Sequence, residues 1–246
     1  MTNMLNLLKY QFRKLPKFIS LYVGIAVGIA IYLIEGLAVV SMGETFADYL
    51  PNFDPNCMII IFIGVFVALF TCADNSNGAM KIIIGKGYTR TQTFFSKLIV
   101  CLTANLIYCF VAIVTPLIIG ATMKRGVMTD QIIRESAYAY FLRVVCLCGM
   151  TCVYFGLSEM CGKSLIAVPV CLLVCVFFLE GAGLFDLIFL KCSFNASDYI
   201  LTSVYTALTQ IPIMNSLATR AWVCPIVYSA VFLGLGYLFA LRREVK

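Results

Sequence analysis

The sequence predicts an all-α membrane protein with six transmembrane helices. Three observations carry that prediction. Of the 246 residues, 62% are hydrophobic and 12% are charged, about half the charged share of a soluble domain. Six apolar runs are long enough to cross a bilayer as helices, which takes roughly 17–25 residues. Lysine and arginine are spread unevenly over the segments between those runs.

The runs cover 18–42, 57–73, 98–123, 137–158, 165–189 and 222–241, and the connecting segments are short. One membrane domain over 1–246 follows. The first run is long enough to span and is followed by no small-residue cleavage site, so it reads as a span and not as a cleaved signal. With the N-terminus inside, twelve Lys and Arg lie on the inner side: Lys9, Arg13, Lys14, Lys17, Lys81, Lys86, Arg90, Lys97, Lys163, Arg242, Arg243 and Lys246. Six lie outside, at Lys124, Arg125, Arg134, Arg143, Lys191 and Arg220. The first outer loop carries Glu44, Asp48 and Asp54 and no cation. This bias predicts both termini inside. The net charge of +6 then belongs to membrane topology, and no basic patch with interleaved aromatics asks for a nucleic-acid partner.

Residues 4–19 form an amphipathic helix in which Leu5, Leu8, Phe12, Leu15 and Ile19 repeat at helical spacing. Such a helix lies along the membrane surface, and Pro16 ends or bends it. Span 1 holds Gly24 and Gly28 four residues apart, a face for close helix contact with a second copy or within the chain. Glu35, near its outer end, has two readings: a functional intramembrane carboxylate or an interfacial one that reaches water. Pro116 and Pro169 are candidate kinks in spans 3 and 5. Glu180 opens the run Glu-Gly-Ala-Gly, which reads as a broken helix lining a cavity or as a helix end. Residues 199–217 are too polar for a further span and predict one or two short helices, interfacial or re-entrant, on the outer side.

Chemistry by the chain itself is not expected. There are twelve cysteines and no histidine, which removes Ser-His-Asp and Cys-His pairs and histidine-based zinc sites. The cysteines, Cys148/Cys152 and Cys171/Cys175 among them, read as small buried hydrophobes, so no metal and no resident cofactor is predicted. Gly156 to Ser164 approximates a phosphate-binding loop, but five residues separate its glycines where that loop has four, and no strand is expected before it.

The segment from Asn77 to Lys97 breaks the pattern, with Lys81, Lys86, Arg90 and Lys97 among glycines. Asp74, Asn75 and Ser76 read as helix-start residues, Ala79–Ile84 as a short helix with an apolar surface of Ile82, Ile83 and Ile84, and Gly85 and Gly87 as its end. Thr89 reads as the cap of the next helix. The order Asp74, Gly78-Ala79, Lys81, Ile82–Ile84, Gly85–Gly87, Thr89-Arg90, Lys97 resembles the first cytosolic loop of ABC type-2 exporter permeases. It departs from that pattern at Asp74, where Glu is commoner, and at Ala79, where Thr is commoner. The six spans, inner termini, surface helix and outer element between spans 5 and 6 are similar across nearly the whole chain. The length and small loops resemble most the permeases of bacterial antimicrobial-peptide export and self-immunity.

That resemblance implies a permease subunit in the bacterial cell membrane that is not itself an enzyme. A separate ABC-type ATPase, holding ATP and Mg, would dock on Asp74, Gly78, Ala79, Lys81, Ile82, Ile83, Ile84 and Arg90, with a smaller contact at Lys163. A second permease subunit, identical or homologous, would complete a pathway near spans 1, 2 and 5, with Gly24, Gly28, Glu35 and Glu180 as candidates along it. The substrate would be an amphipathic or hydrophobic peptide, lipid or drug. The readings of another class are a secondary transporter or channel without an ATPase, and a non-transporting immunity or anchoring subunit.

Overall fold

The computed structural model describes residues 4–43, 58–76, 78–122, 129–188, 196–208 and 213–242. Among these the chain is helical with no strand. The helices are α1 (Met4–Lys14), α2 (Ile19–Met42), α3 (Met58–Ser76), α4 (Ala79–Gly85), α5 (Arg90–Thr122), α6 (Asp130–Cys161), α7 (Ser164–Ile188), α8 (Leu201–Ala207) and α9 (Asn215–Arg242). Short 3₁₀ turns occupy Leu15–Lys17 and Ala196–Tyr199.

Among the described residues four helices are long and apolar enough to cross a membrane: Ile19–Val39 of α2, Arg90–Gly120 of α5, α6 and α9. A fifth is reached if α3 and α4 count together across a 59° bend. Helices also cover the expected runs at 57–73 and 165–189, as α3 over Met58–Ser76 and α7 over Ser164–Ile188.

Several helices outrun the apolar stretches that announced them. α5 begins at Arg90 where hydropathy begins at 98, and α9 begins at Asn215 where hydropathy begins at 222. A helix needs only satisfied backbone groups to continue past its apolar part, and α5 has them. The Thr89 N–H donates to Gln92 Oε1 at 3.0 Å, and the Gln92 N–H donates to Thr89 Oγ1 at 3.2 Å. This reciprocal pair is a capping box. α7 runs unbroken through Glu180–Gly183, so the expected break there is absent. A glycine in a helix interior costs only about 1 kcal/mol. Pro116 and Pro169 also sit inside continuous helices.

α6 is the central helix, with 72% of its apolar window buried inside the chain, against 22% for α2 and 17% for α9. Its most extensive partner is α9. That contact is backbone-close because both helices carry glycine there: a Cβ on Gly236 would stand 2.8 Å from the Gly156 Cα, and one on Gly156 would collide with the Phe232 carbonyl oxygen. Association in lipid rests on such van der Waals approach. α3 packs between α6 and α7, α2 against α5 and α3, and α8 against α6, α7 and α9. α8 buries Leu201, Val204 and Tyr205, so this part of the expected outer element is helical and packed on the bundle.

The α6–α9 contact generates a stability prediction. Gly156→Val lowers the unfolding free energy in mild detergent by about 1–3 kcal/mol, the usual cost of overpacking. Gly234→Ala, where an added Cβ meets nothing within 4 Å, instead raises the unfolding free energy by up to about 1 kcal/mol, the helix-propensity difference.

Candidate functional site

Two ion pairs lie at the end of the bundle where α1, the α3–α4–α5 connection, the α6–α7 turn and the end of α9 meet, while Arg143, Ser136 and Thr202 are buried elsewhere on α6 and α8. Lys14 Nζ stands 2.6 Å from Asp74 Oδ1, and Lys97 Nζ stands 3.1 Å from Glu159 Oε1. Lys97 is 1% exposed, Asp74 1% and Glu159 4%. Lys97 also donates to the Thr71 carbonyl oxygen at 3.1 Å, and Gln11 Nε2 donates to Asp74 Oδ2 at 2.9 Å. Four helices that are distant in sequence (α1, α3, α5 and α6) are thereby joined through side chains that have left water. Lys97 lies seven residues into α5, about 10 Å along its axis at 1.5 Å per residue.

Lys14 feels the exchange directly. Burial pushes its ammonium below the ordinary lysine range, the Asp74 carboxylate draws it back up, and Lys97 adds a smaller downward push. Its Nζ also lies 4.8 Å from the Phe70 ring centre and 5.4 Å from that of Phe18. A cation–π contact is worth most where the cation is desolvated.

The pairing orients α1, whose Leu8 and Phe12, with Leu15 just beyond it, also pack on the core. The sequence predicted an apolar face of Leu5, Leu8, Phe12, Leu15 and Ile19. The buried residues on this segment are Leu7, Gln11 and Leu15, while Leu5 and Ile19 are 65% and 76% exposed. Asp74 draws Gln11 inward, and the helix turns with it to pack on α5.

The other sequence-predicted residues fall as follows. Asp74 does not cap α4; it lies in the last turns of α3 and faces α1. Gly78 is the N-cap instead, in the left-handed region at φ +67° and without a side-chain cap. α4 ends at Gly85, with Gly87 at φ +85° and its N–H donating to the Ile84 carbonyl at 2.8 Å, the left-handed closure that glycine favours. On α4, Ile83 is buried, Ala79 and Ile84 are half-buried, and Lys81 and Ile82 are exposed. α1 and α4 line a cavity of about 300 Å³ with Leu7, Tyr10, Ala79, Ile82, Ile83 and Tyr88 among its walls. Arg90 donates to the Leu241 carbonyl oxygen at 2.7 Å, so it satisfies the C-terminus of α9. Thr91 and Tyr237 join the same helices at 3.1 Å between hydroxyls. Lys163 is exposed on the α6–α7 turn, beside Gly162 at φ +71°.

The candidates along the pathway lie elsewhere. A Cβ on Gly24 would stand 2.5 Å from the Tyr108 hydroxyl of α5, so Gly24 serves contact within the chain. Gly28 has room for a side chain, with nothing within 4 Å of an added Cβ. Glu35 is half-buried on α2. Glu180 is in α7, and its side chain lies outside the described residues.

Sequence reasoning missed Glu159, which lies in the last turn of α6 and offers no local signal of its partner on α5. It also missed Gln11, a polar residue within an otherwise basic and apolar helix.

The two pairs predict an asymmetric mutational result. Lys97→Met or Glu159→Gln alone costs about 3–5 kcal/mol of stability, because each leaves a buried group without its partner. The double variant loses less than the sum of the two, as a double-mutant cycle of unfolding midpoints would record. Asp74→Asn frees Lys14 and raises the rate of limited proteolysis within α1, while α5–α6 contacts persist.

No family model matches the sequence, and a search of curated proteins returns no match. The functional reading therefore stands on the residues and geometry of this end of the bundle.

Proposed function

We propose that this chain is the permease subunit of an ABC-type exporter, with six spans, both termini inside, and the end that carries the two ion pairs facing the cytosol of a bacterial cell. The chain hydrolyses nothing; ATP and Mg sit on a partner ATPase. A second permease subunit, identical or homologous, completes the pathway, and the substrate is an amphipathic or hydrophobic peptide, lipid or drug. The antimicrobial-peptide export and immunity group is the subfamily whose layout it resembles.

One observation carries the reading: α4 is short, bounded by glycines, tilted by 59° from α3, and anchored on one side only. Ile83 is held inward while Lys81 and Ile82 face out. Asp74, just before it, is tied to α1, and Arg90, just after it, to the end of α9. A push on the outward face of such a helix reaches α1, α3, α5 and α9 together, because packed and hydrogen-bonded elements move as nearly rigid bodies. That is what a mechanical coupling to an external ATPase requires. A solvated loop would yield to the push and transmit little.

The division of labour within α4 makes the test specific. Ile82→Asp, on the exposed face, abolishes capture of the ATPase by the tagged chain in mild detergent and leaves the thermal midpoint unchanged. Ile83→Asp and Gly78→Pro lower the midpoint and uncouple transport; Pro cannot adopt the positive φ of Gly78. Cys161, half-buried at the same end, is labelled by a membrane-impermeant thiol reagent from the cytosolic side only. A clean preparation without any ATPase overturns the proposal in favour of an ATPase-independent transporter, with Glu35 and Glu180 then the residues to test.

A further inference from the structure

We propose that the cavity between the start of α2, the last turns of α3 and the start of α7 is a binding site for one anionic phospholipid of the inner leaflet. The inference rests on the membrane orientation given above and not on the ATPase.

The cavity has a volume of about 460 Å³, and its walls divide by chemistry. Lys17, Ser20 and Ser164 supply one cation and two hydroxyls; Phe18, Ile19, Leu69 and Ala73 supply the apolar part. No carboxylate lines it. A phosphodiester supplies the negative charge that suits Lys17 and an acceptor for the Ser164 hydroxyl, while an acyl chain covers Phe18 and Leu69.

The charge of the whole end points the same way. Among the described residues here the acids are Asp74 and Glu159, and both are buried in ion pairs. The exposed charges are basic: Lys9, Arg13, Lys17, Lys81, Lys86, Lys163 and Arg242. An end that has withdrawn its carboxylates attracts an anionic membrane surface. The rim decides between a lipid and a soluble anion. Ile19 is 76% exposed, and Leu165 and Ile166, next to Ser164, are 86% and 50% exposed. Free phosphate would leave these side chains in water, whereas a lipid covers them.

The test is native mass spectrometry of the full chain released from micelles containing equal amounts of phosphatidylglycerol and phosphatidylcholine. The expected result is one retained phosphatidylglycerol per chain, in preference to phosphatidylcholine. Lys17→Gln lowers that retention about fivefold, the effect of one basic residue near the headgroup, and Lys17→Arg preserves it. Ser164→Ala, in the cavity wall, lowers it by a smaller factor, and Lys9→Gln, an exposed base outside the cavity, leaves it unchanged. Equal losses in the Lys9 and Lys17 variants would overturn the site in favour of diffuse attraction. Displacement of the lipid by millimolar glycerol phosphate would reassign it to a soluble anion, and a lipid-free dimer would reassign the face to a second copy. A chain that retains neither lipid would overturn the site. Lipid retention without ATPase capture would overturn only the exporter reading.

Discussion

A lysine that cannot reach water constrains this molecule more than any other residue. Lys97 is enclosed by α3, α5 and α6, and its charge is met by Glu159 and the Thr71 carbonyl. Such a pair adds little net stability over an apolar substitute, because desolvating two ions offsets most of their attraction. Its consequence is geometric. Any packing that separates Lys97 from Glu159 leaves a charge stranded in a low-dielectric interior, so the register of α5 against α6 is narrowly defined. Asp74 with Lys14 and Gln11 repeats the arrangement one layer further out and brings α1 under the same constraint.

The remaining architecture follows from where these pairs leave freedom. At the basic end, polar contacts tie helices of widely separated sequence: Arg90 to the end of α9, Thr91 to Tyr237, Lys14 to Asp74. Deeper in the bundle the contacts are dispersive and depend on small residues, with Gly149 against Pro225 and Gly156 against Gly236 among the close approaches. The bundle is thus stiff at one end through directed bonds and closely packed along its length through shape. α4 sits at the stiff end, and the proposed coupling role draws on that placement more than on any single side chain of α4.

The same pairs shape the surface. By taking Asp74 and Glu159 inside, the fold leaves an outer face at this end whose described charges are all basic. Neutral interior and cationic exterior are two results of one arrangement. An anionic leaflet fits the exterior, and the apolar rim around Lys17 fits the boundary between headgroup and acyl chain.

Composition and the lengths of the apolar runs determined an all-helical membrane chain, since a backbone in lipid must satisfy its own hydrogen bonds. Local chemistry also located α4 within a residue or so, because Gly87 and the Thr89–Gln92 pair act over a few bonds. Tertiary structure alone decided the partners of Asp74, Lys97 and Arg90, which lie 60, 62 and 151 residues away. Hydropathy treats each charge as a loop marker and has no term for a carboxylate arriving from another helix. It therefore set the apolar part of span 3 to begin after Lys97, and only the local Thr89 cap placed the helix start before Arg90. It read the apolar stripe of α1 from Leu5 to Ile19 and could not read that Gln11 would meet Asp74, a residue on α3.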